Sequence, residues 1–248
     1  MDISGSVALV TGAHGGIGRA FVAELLKRDV AKVYVTARDT VSLSDLQSDG
    51  DKRLVALALD ISDPTQIVNA AMVASDVTLL INNAGYASFQ GAIAAREMTA
   101  ARHEMEVNYF GPLALTRAFR EILGSSGGGA IVNMLSMAAL VSLPAMGTYS
   151  ASKAAFLSVT RSIRAELAVQ GTIVIGIVAV QTETAMGIRL PPPRMQPDEV
   201  ASDALSAVQS GKSEEIVAGS LTRGAYQAFT DDPKAFQAKM LLRLPLPS

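Results

Sequence analysis

The chain has 248 residues, 49% of them hydrophobic, and 21 Lys and Arg against 23 Asp and Glu, which excludes a disordered chain and suits a sizeable core. With no Cys there is no disulfide, thiolate metal site or cysteine nucleophile, and with only His14 and His103 a metal centre would be mostly carboxylate and a Ser-His-Asp hydrolase would depend on one of those two. A net charge of −2 with no Trp offers nucleic acid neither a basic field nor stacking platforms, the apolar stretch Ile173 to Val180 is far short of a membrane span, and no charged leader precedes the first apolar segment, so a soluble cytoplasmic protein without metal is expected.

Short apolar runs at Val7 to Val10, Lys32 to Thr36, Leu54 to Leu59, Leu79 to Asn82, Ala130 to Leu135 and Thr172 to Val178 predict buried strands. Between them apolar residues recur three and four apart, as at Ile17, Phe21 and Leu25 and again at Ala155, Val159, Ile163 and Leu167, which is a helical period. Strand and helix in alternation, with strands apolar on both faces, imply an α/β fold: a doubly wound parallel sheet with helices on both faces and right-handed crossovers. No linker or repeat divides the chain, so residues 1–248 are expected to form a single domain. Gly127 to Gly129 reads as a turn, and Pro191-Pro192-Pro193 cannot be helix interior. A helix should start near Pro197-Asp198-Glu199, and Asp231-Asp232-Pro233 should cap a final one at about 232–242.

Immediately after the first strand comes Thr11-Gly12-Ala13-His14-Gly15-Gly16-Ile17-Gly18, opening a helix. Glycines let backbone approach a pyrophosphate closely, and the free N–H groups and positive dipole end of a helix favour that anion. The same cluster would also serve as a plain strand-to-helix turn, and His14 and His103 read as ordinary loop and helix-surface positions. At the end of the second strand, Ala37-Arg38 stands where an acid would hold ribose hydroxyls. A guanidinium fork there suits a 2′-phosphate, which favours NADP over NAD; the alternative is a solvated Arg38 paired with Asp39. Gly15 leaves no second basic contact beside it.

Tyr149 and Lys153 lie four residues apart on one face of a predicted long helix. A free phenol ionises near pH 10, roughly three units too high for efficient acid–base work, and a neighbouring cation shifts it in the useful direction. Taken alone the pair could be an ordinary surface one. Ser136 ends the fifth strand, where an open parallel sheet presents groups to a ligand, and Asn82-Asn83-Ala84-Gly85 follows the fourth. Asn108 sits in a helical stretch before Gly111-Pro112, a poor place for Asn unless its amide is used locally.

On these residues the sequence resembles the short-chain dehydrogenase/reductases in their compact, single-domain, Rossmann-type form. Gly12, Gly16 and Gly18 match the family's Thr-Gly-x-x-x-Gly-x-Gly turn, Asp60 its adenine-contacting acid, Asn82 to Gly85 its Asn-Asn-Ala-Gly, and Asn108, Ser136, Tyr149 and Lys153 its catalytic tetrad, over residues 1 to about 186. The resemblance implies that Tyr149 trades the proton, Ser136 positions the carbonyl, Lys153 holds the nicotinamide ribose and lowers the Tyr pKa, and Asn108 supports a water relay. It places the cofactor along Gly12, His14, Gly16, Ile17, Gly18, Arg38, Asp60, Ile61, Asn82, Ala84, Gly85, Tyr149, Lys153, Val180, Thr182 and Thr184.

The chain departs from the family pattern after the sixth strand, where Ala179-Val180 replaces Pro-Gly and Thr184 is kept. Branched Val180 should displace or narrow that wall of the pocket. The lid, about 185–197, is short and proline-stiffened, implying a pocket more open to solvent than usual and suited to a bulky substrate. Of the methionines expected around it (Met134, Met137, Met146, Met186 and Met195), Met134 reads as core, while Met137, Met146, Met186 and Val180 are the expected substrate contacts. The usual family ending is missing, so a homodimer is expected rather than a tetramer, through the helices around Thr99 to Phe119 and Tyr149 to Gln170. The expected function is an NADP(H)-dependent ketone reductase or secondary alcohol dehydrogenase for a hydrophobic carbonyl compound. The competing class is a non-catalytic NADP(H)-binding sensor on the same scaffold, which would have no need of the tetrad.

Overall fold

A computed structural model describes residues 1–47 and 50–243 of the chain. Seven strands form one parallel sheet in the order β3-β2-β1-β4-β5-β6-β7: β1 Val7–Val10, β2 Lys32–Ala37, β3 Leu54–Ala58, β4 Leu79–Asn82, β5 Ala130–Met134, β6 Ile173–Val178 and β7 Glu215–Val217. The six strands expected from the sequence are present with ends shifted by at most a residue. The seventh was not anticipated: three half-buried residues are too few to show an alternation, and pairing with β6 places them.

The helices are α1 Gly16–Lys27, a single turn α2 Ser44–Gln47, α3 Pro64–Val73, α4 Thr99–Met105, α5 Gly111–Ser125, α6 Gly147–Leu167, α7 Pro197–Gln209, α8 Ser220–Asp231 and α9 Pro233–Arg243. Their starts follow local chemistry. Asp63 accepts the Thr65 and Gln66 N–H groups ahead of Pro64, Pro197 opens α7 with Asp198 and Glu199 in its first turn, and the Asp232 carboxylate accepts the Ala235 N–H at the start of α9. Gly127, Gly128 and Gly129 turn the chain into β5 with positive φ angles.

Strand pleating divides the core between two layers. Val10, Val35, Ile81, Val132 and Ile175 pack with Phe21 and Leu25 of α1 and Val200 and Leu205 of α7; Leu9, Leu80, Ile131 and Val174 pack with Leu115 and Phe119 of α5 and Ile163 of α6. The strand order reverses direction between β1 and β4, so the C-terminal ends of the strands open a crevice there. Thr11, Arg38, Asp60, Asn83, Ser136 and Ala179 all follow strand ends on that edge. Among the described residues no helix is long and apolar enough to cross a membrane.

Candidate active site

The turn after β1 is held from outside itself. The Thr11 hydroxyl accepts the backbone N–H groups of Asn83 and Ala84, and the Asn83 amide donates to the carbonyls of Thr11 and Gly12 at 2.8 and 3.3 Å. Gly12 takes a φ of +63°. At the start of α1, Gly15 supplies no side-chain cap, so the first N–H groups of the helix face the crevice uncapped by any side chain. A Cβ at Gly16 would come within 2.5 Å of the Thr184 methyl, which brings the segment after β6 down onto this turn. Exposed His14 contributes its carbonyl to Arg19.

Arg38 is exposed and has no ion pair or side-chain hydrogen bond among the described residues. The alternative partner, Asp39, instead caps a short 3-10 turn by accepting the Val41 N–H at 2.9 Å. A glycine cradle at a helix start with a free guanidinium at the next strand end fits a dinucleotide bearing a 2′-phosphate. The Asp60 carboxylate closes a local turn through the N–H and hydroxyl of Ser62. Two of the expected cofactor contacts turn their side chains inward. Ile61 is buried in the core, and the Asn82 amide donates to Asn133 at 2.8 Å and to Thr116 at 3.3 Å, because Asn82 lies on the same strand face as Leu80 and beside Asn133 in register. The Asn82 Oδ1 remains a buried acceptor without a partner. Thr182 is buried and donates to the Val180 carbonyl, while the Val180 N–H donates to Thr222 of α8.

Across the crevice the four tetrad residues converge. Tyr149, in the first turn of α6, is 8% exposed, and its phenol faces the Ser136 hydroxyl. Ser136 accepts the Ala138 N–H at 3.1 Å, which leaves its own hydrogen for the phenol or for a carbonyl oxygen in its place. Lys153 is one turn on, with Nζ 5.9 Å from the Tyr149 ring centroid and donating to the Met134 carbonyl at 2.8 Å. Gly85 lies against it, since a Cβ there would be 3.7 Å from Nζ and 3.4 Å from the Asn108 Oδ1. Asn108 sits in a π-helical segment, Glu106–Phe110, with its amide fully used as the sequence required: it brackets the Tyr86 N–H and C=O at 2.9 and 2.8 Å and donates to Ser152 at 2.9 Å. A water relay would therefore have to use a group of Asn108 other than this amide, and Pro112, four residues on, has no N–H to offer its main-chain carbonyl.

The electrostatics correct one expectation. Burial pushes the Tyr149 phenol up to about 12; the Ser136 hydroxyl works against this and the Glu104 carboxylate adds to it. Lys153 does not lower it here, because burial brings the ammonium itself down to about 8 and its proton is directed at Met134. Because the folded pKa lies below the ordinary 10.5, the unfolded chain binds more protons between about 8 and 10.5 and stability rises with pH across that window. Lys153→Met removes this contribution. The stability difference measured by urea unfolding should move in favour of the wild type between pH 8 and pH 10, and a pH-independent difference would refute the assignment.

The pocket is closed rather than open. Met186 and Leu190 of the lid and Phe89 of the opposite wall join Tyr149, Met146, Ala87, Ala138 and Leu143 in one apolar cluster. The Arg189 guanidinium lies 4.0 Å above the Phe89 ring, and Arg194 staples the lid by donating to the carbonyls of Gly187, Ile188 and Leu190 and pairing with Glu183. A short lid fastened in this way lands its apolar side chains directly on the tyrosine. Met137 is not among the pocket residues: its N–H extends the β5–β6 ladder to Ala179, which directs it into a separate cluster with Phe156 and Leu157. Met195 likewise belongs to the main core. The sequence reading named Thr11 and Asn83 within their motifs without giving either a role, and missed Arg189 and the buried Glu104. For Glu104 a signal existed, as it precedes Asn108 by one helical turn on the same face.

Comparison with known proteins finds that residues 6–194 match the short chain dehydrogenase family. A crystal structure of a short chain dehydrogenase from Burkholderia cenocepacia in complex with NADP is 41% identical, covers 99% of this chain and 100% of that one, and superposes with a TM-score of 0.89. The 3-ketoacyl-(acyl-carrier-protein) reductase of Brucella melitensis, crystallised with NADH, is 27% identical over 86% of this chain and 96% of its own, with a TM-score of 0.78. Oxidoreductase calM of Penicillium decumbens is 32% identical over 168 residues, which are 64% of this chain; the chain spans 55% of that relative's length.

Proposed function

The chain belongs to the short chain dehydrogenase family, and on that premise we propose that it is an NADP(H)-dependent oxidoreductase that interconverts a hydrophobic ketone and its secondary alcohol. The observation that carries this reading is the Tyr149 phenol, facing Ser136 inside an apolar cluster, with Lys153 one turn along the same helix. The nicotinamide supplies or takes the hydride. Everything else falls to side chains. The Ser136 hydroxyl donates to the carbonyl oxygen, the Tyr149 O–H gives that oxygen its proton as charge develops there, and the Lys153 ammonium returns a proton to the phenolate, replenished through a water that the Asn108 main-chain carbonyl would hold. Met146, Met186 and Leu190 exclude water and line the site for an apolar substrate with adaptable side chains.

Gly12, Gly16 and Gly18 with the start of α1 would hold the pyrophosphate, Arg38 the 2′-phosphate, Asp60 the adenine and Lys153 the nicotinamide ribose. The Burkholderia relative's NADP supports that choice, while the Brucella relative's NADH shows why Arg38 has to be tested. Arg38→Ala should reduce the preference for NADPH over NADH by about 10-fold or more, the worth of a charge-assisted contact, with an unchanged ratio of kcat/KM values counting against it. The wild-type test is the fall of NADPH absorbance with a panel of bulky aryl and alkyl ketones, run also in the alcohol direction. NADPH binding without consumption across the panel would favour the sensor reading. Residues 1–248 act as a single catalytic domain in this proposal, as a cytoplasmic homodimer joined through α4, α5 and α6, where Phe110 is 49% exposed.

A further inference from the structure

Glu104 is fully buried and takes no part in the proton transfer described above. Its Oε1 accepts the Ser88 backbone N–H and hydroxyl, both at 2.8 Å, and its Oε2 accepts the Thr148 hydroxyl at 2.5 Å. Every partner donates, which is the pattern of an ionised carboxylate. No Lys, Arg or His pairs with it among the described residues. A buried anion without a counter-ion is costly unless its hydrogen bonds are complete, so each of these donors is needed.

The partners occupy telling places. Thr148 immediately precedes Tyr149 in the first turn of α6, and Ser88 lies between Ala87 and Phe89, both of which pack in the Tyr149 cluster. We propose that Glu104 is a positioning residue for Tyr149, a buried anion that ties the first turn of α6 to the opposite wall of the crevice. This rests on the reading of Tyr149 as proton donor and names a residue that acts through it.

The clamp has an electrostatic consequence. A fixed negative charge on α4 opposes formation of a phenolate nearby, so the phenol keeps its proton to higher pH than burial alone would dictate. The other groups facing the phenol are the neutral Ser136 hydroxyl from the turn after β5 and Lys153 from α6; the lid presents Met186 and Leu190, with the Arg189 guanidinium above Phe89. His103, beside Glu104 on α4, packs edge-on against Tyr86 with ring centroids 4.7 Å apart.

The test uses the full chain labelled with difluorotyrosine, whose phenol ionises at lower pH than that of tyrosine, and follows the Tyr149 resonance by fluorine NMR, assigned by its loss in Tyr149→Phe. Glu104→Gln keeps the shape and removes the charge, and the Tyr149 midpoint should fall by about one pH unit. A midpoint that stays or rises overturns the proposal. Thr148→Val covers the case in which Glu104→Gln does not fold. It keeps the charge and removes one anchor, so the resonance should move without a lower midpoint, and a wild-type resonance position overturns the clamp. Ketone turnover separates the two levels: a Tyr149→Phe enzyme that still reduces ketones defeats the reading of Tyr149, whereas an inactive Tyr149→Phe with an unmoved midpoint in Glu104→Gln defeats Glu104 alone.

Discussion

Tyr149→Phe should bind NADPH as the wild type does and reduce ketones about 100- to 10,000-fold more slowly, the range spanned by a positioned general acid. The ring stays where it is, because its packing against Ala87, Ala138 and Met146 does not involve the hydroxyl. What disappears is the O–H that faces Ser136. The cost to folding is about 1 kcal/mol, the worth of one ordinary hydrogen bond, so the loss of rate cannot be assigned to unfolding. With the phenol at about 12 the donor is fully protonated at neutral pH, and reduction should show no decline attributable to Tyr149 between pH 6 and pH 8 in the wild type. Binding is read by NADPH fluorescence and turnover by NADPH absorbance. Near-normal reduction by the variant would remove Tyr149 from its assigned role.

What the sequence revealed and what it concealed divide along a physical line. Strands β1, β2, β4, β5 and β6 were legible because they are buried on both faces and so are mostly apolar, and the half-buried edge strand β3 was legible from the apolar run Leu54 to Ala58. The Tyr149–Lys153 pair was legible because four residues on a helix fix a shared face without knowledge of anything distant. Side chains whose direction depends on a neighbouring strand were not. Asn82 and Asn83 are adjacent in an identical pair, yet the first turns inward to Asn133 and Thr116 and the second outward to the Gly12 turn; the pleat and the register with β5 decide which is which. Met137 and Met146 are equally plausible pocket residues by position, and only the extension of the β5–β6 ladder sends Met137 away. Lid closure was misread for a related reason. A short proline-rich segment implies stiffness, but whether it stands clear of the tyrosine or lies on it is set by Arg194 and by Arg189 over Phe89, contacts between residues far apart in the chain.

Gly18→Ala should be the most damaging single methyl in the chain's phosphate turn. Gly18 lies in the first turn of α1, and a Cβ built on it would overlap the Gly12 carbonyl oxygen, with the Ala13 Cα and the Asn83 Nδ2 both at 2.9 Å. Two of those obstacles are backbone of the turn itself and cannot rotate away. The third is the amide that pins the turn to the end of β4 by donating to the Thr11 and Gly12 carbonyls. Relief therefore requires the turn to lift off α1 or the Asn83 bonds to break, and either movement displaces the N–H groups that would meet a pyrophosphate. Overpacking of this kind costs about 1–3 kcal/mol, which for a chain of this size is roughly 2–12 °C in Tm. The loss of NADPH affinity should be larger, about 100-fold, because several charge-assisted N–H contacts fail together. Thermal unfolding and NADPH titration of one preparation give both numbers. A variant that binds NADPH normally while melting earlier would show that the cradle serves packing of α1 against the sheet and that the pyrophosphate rests elsewhere.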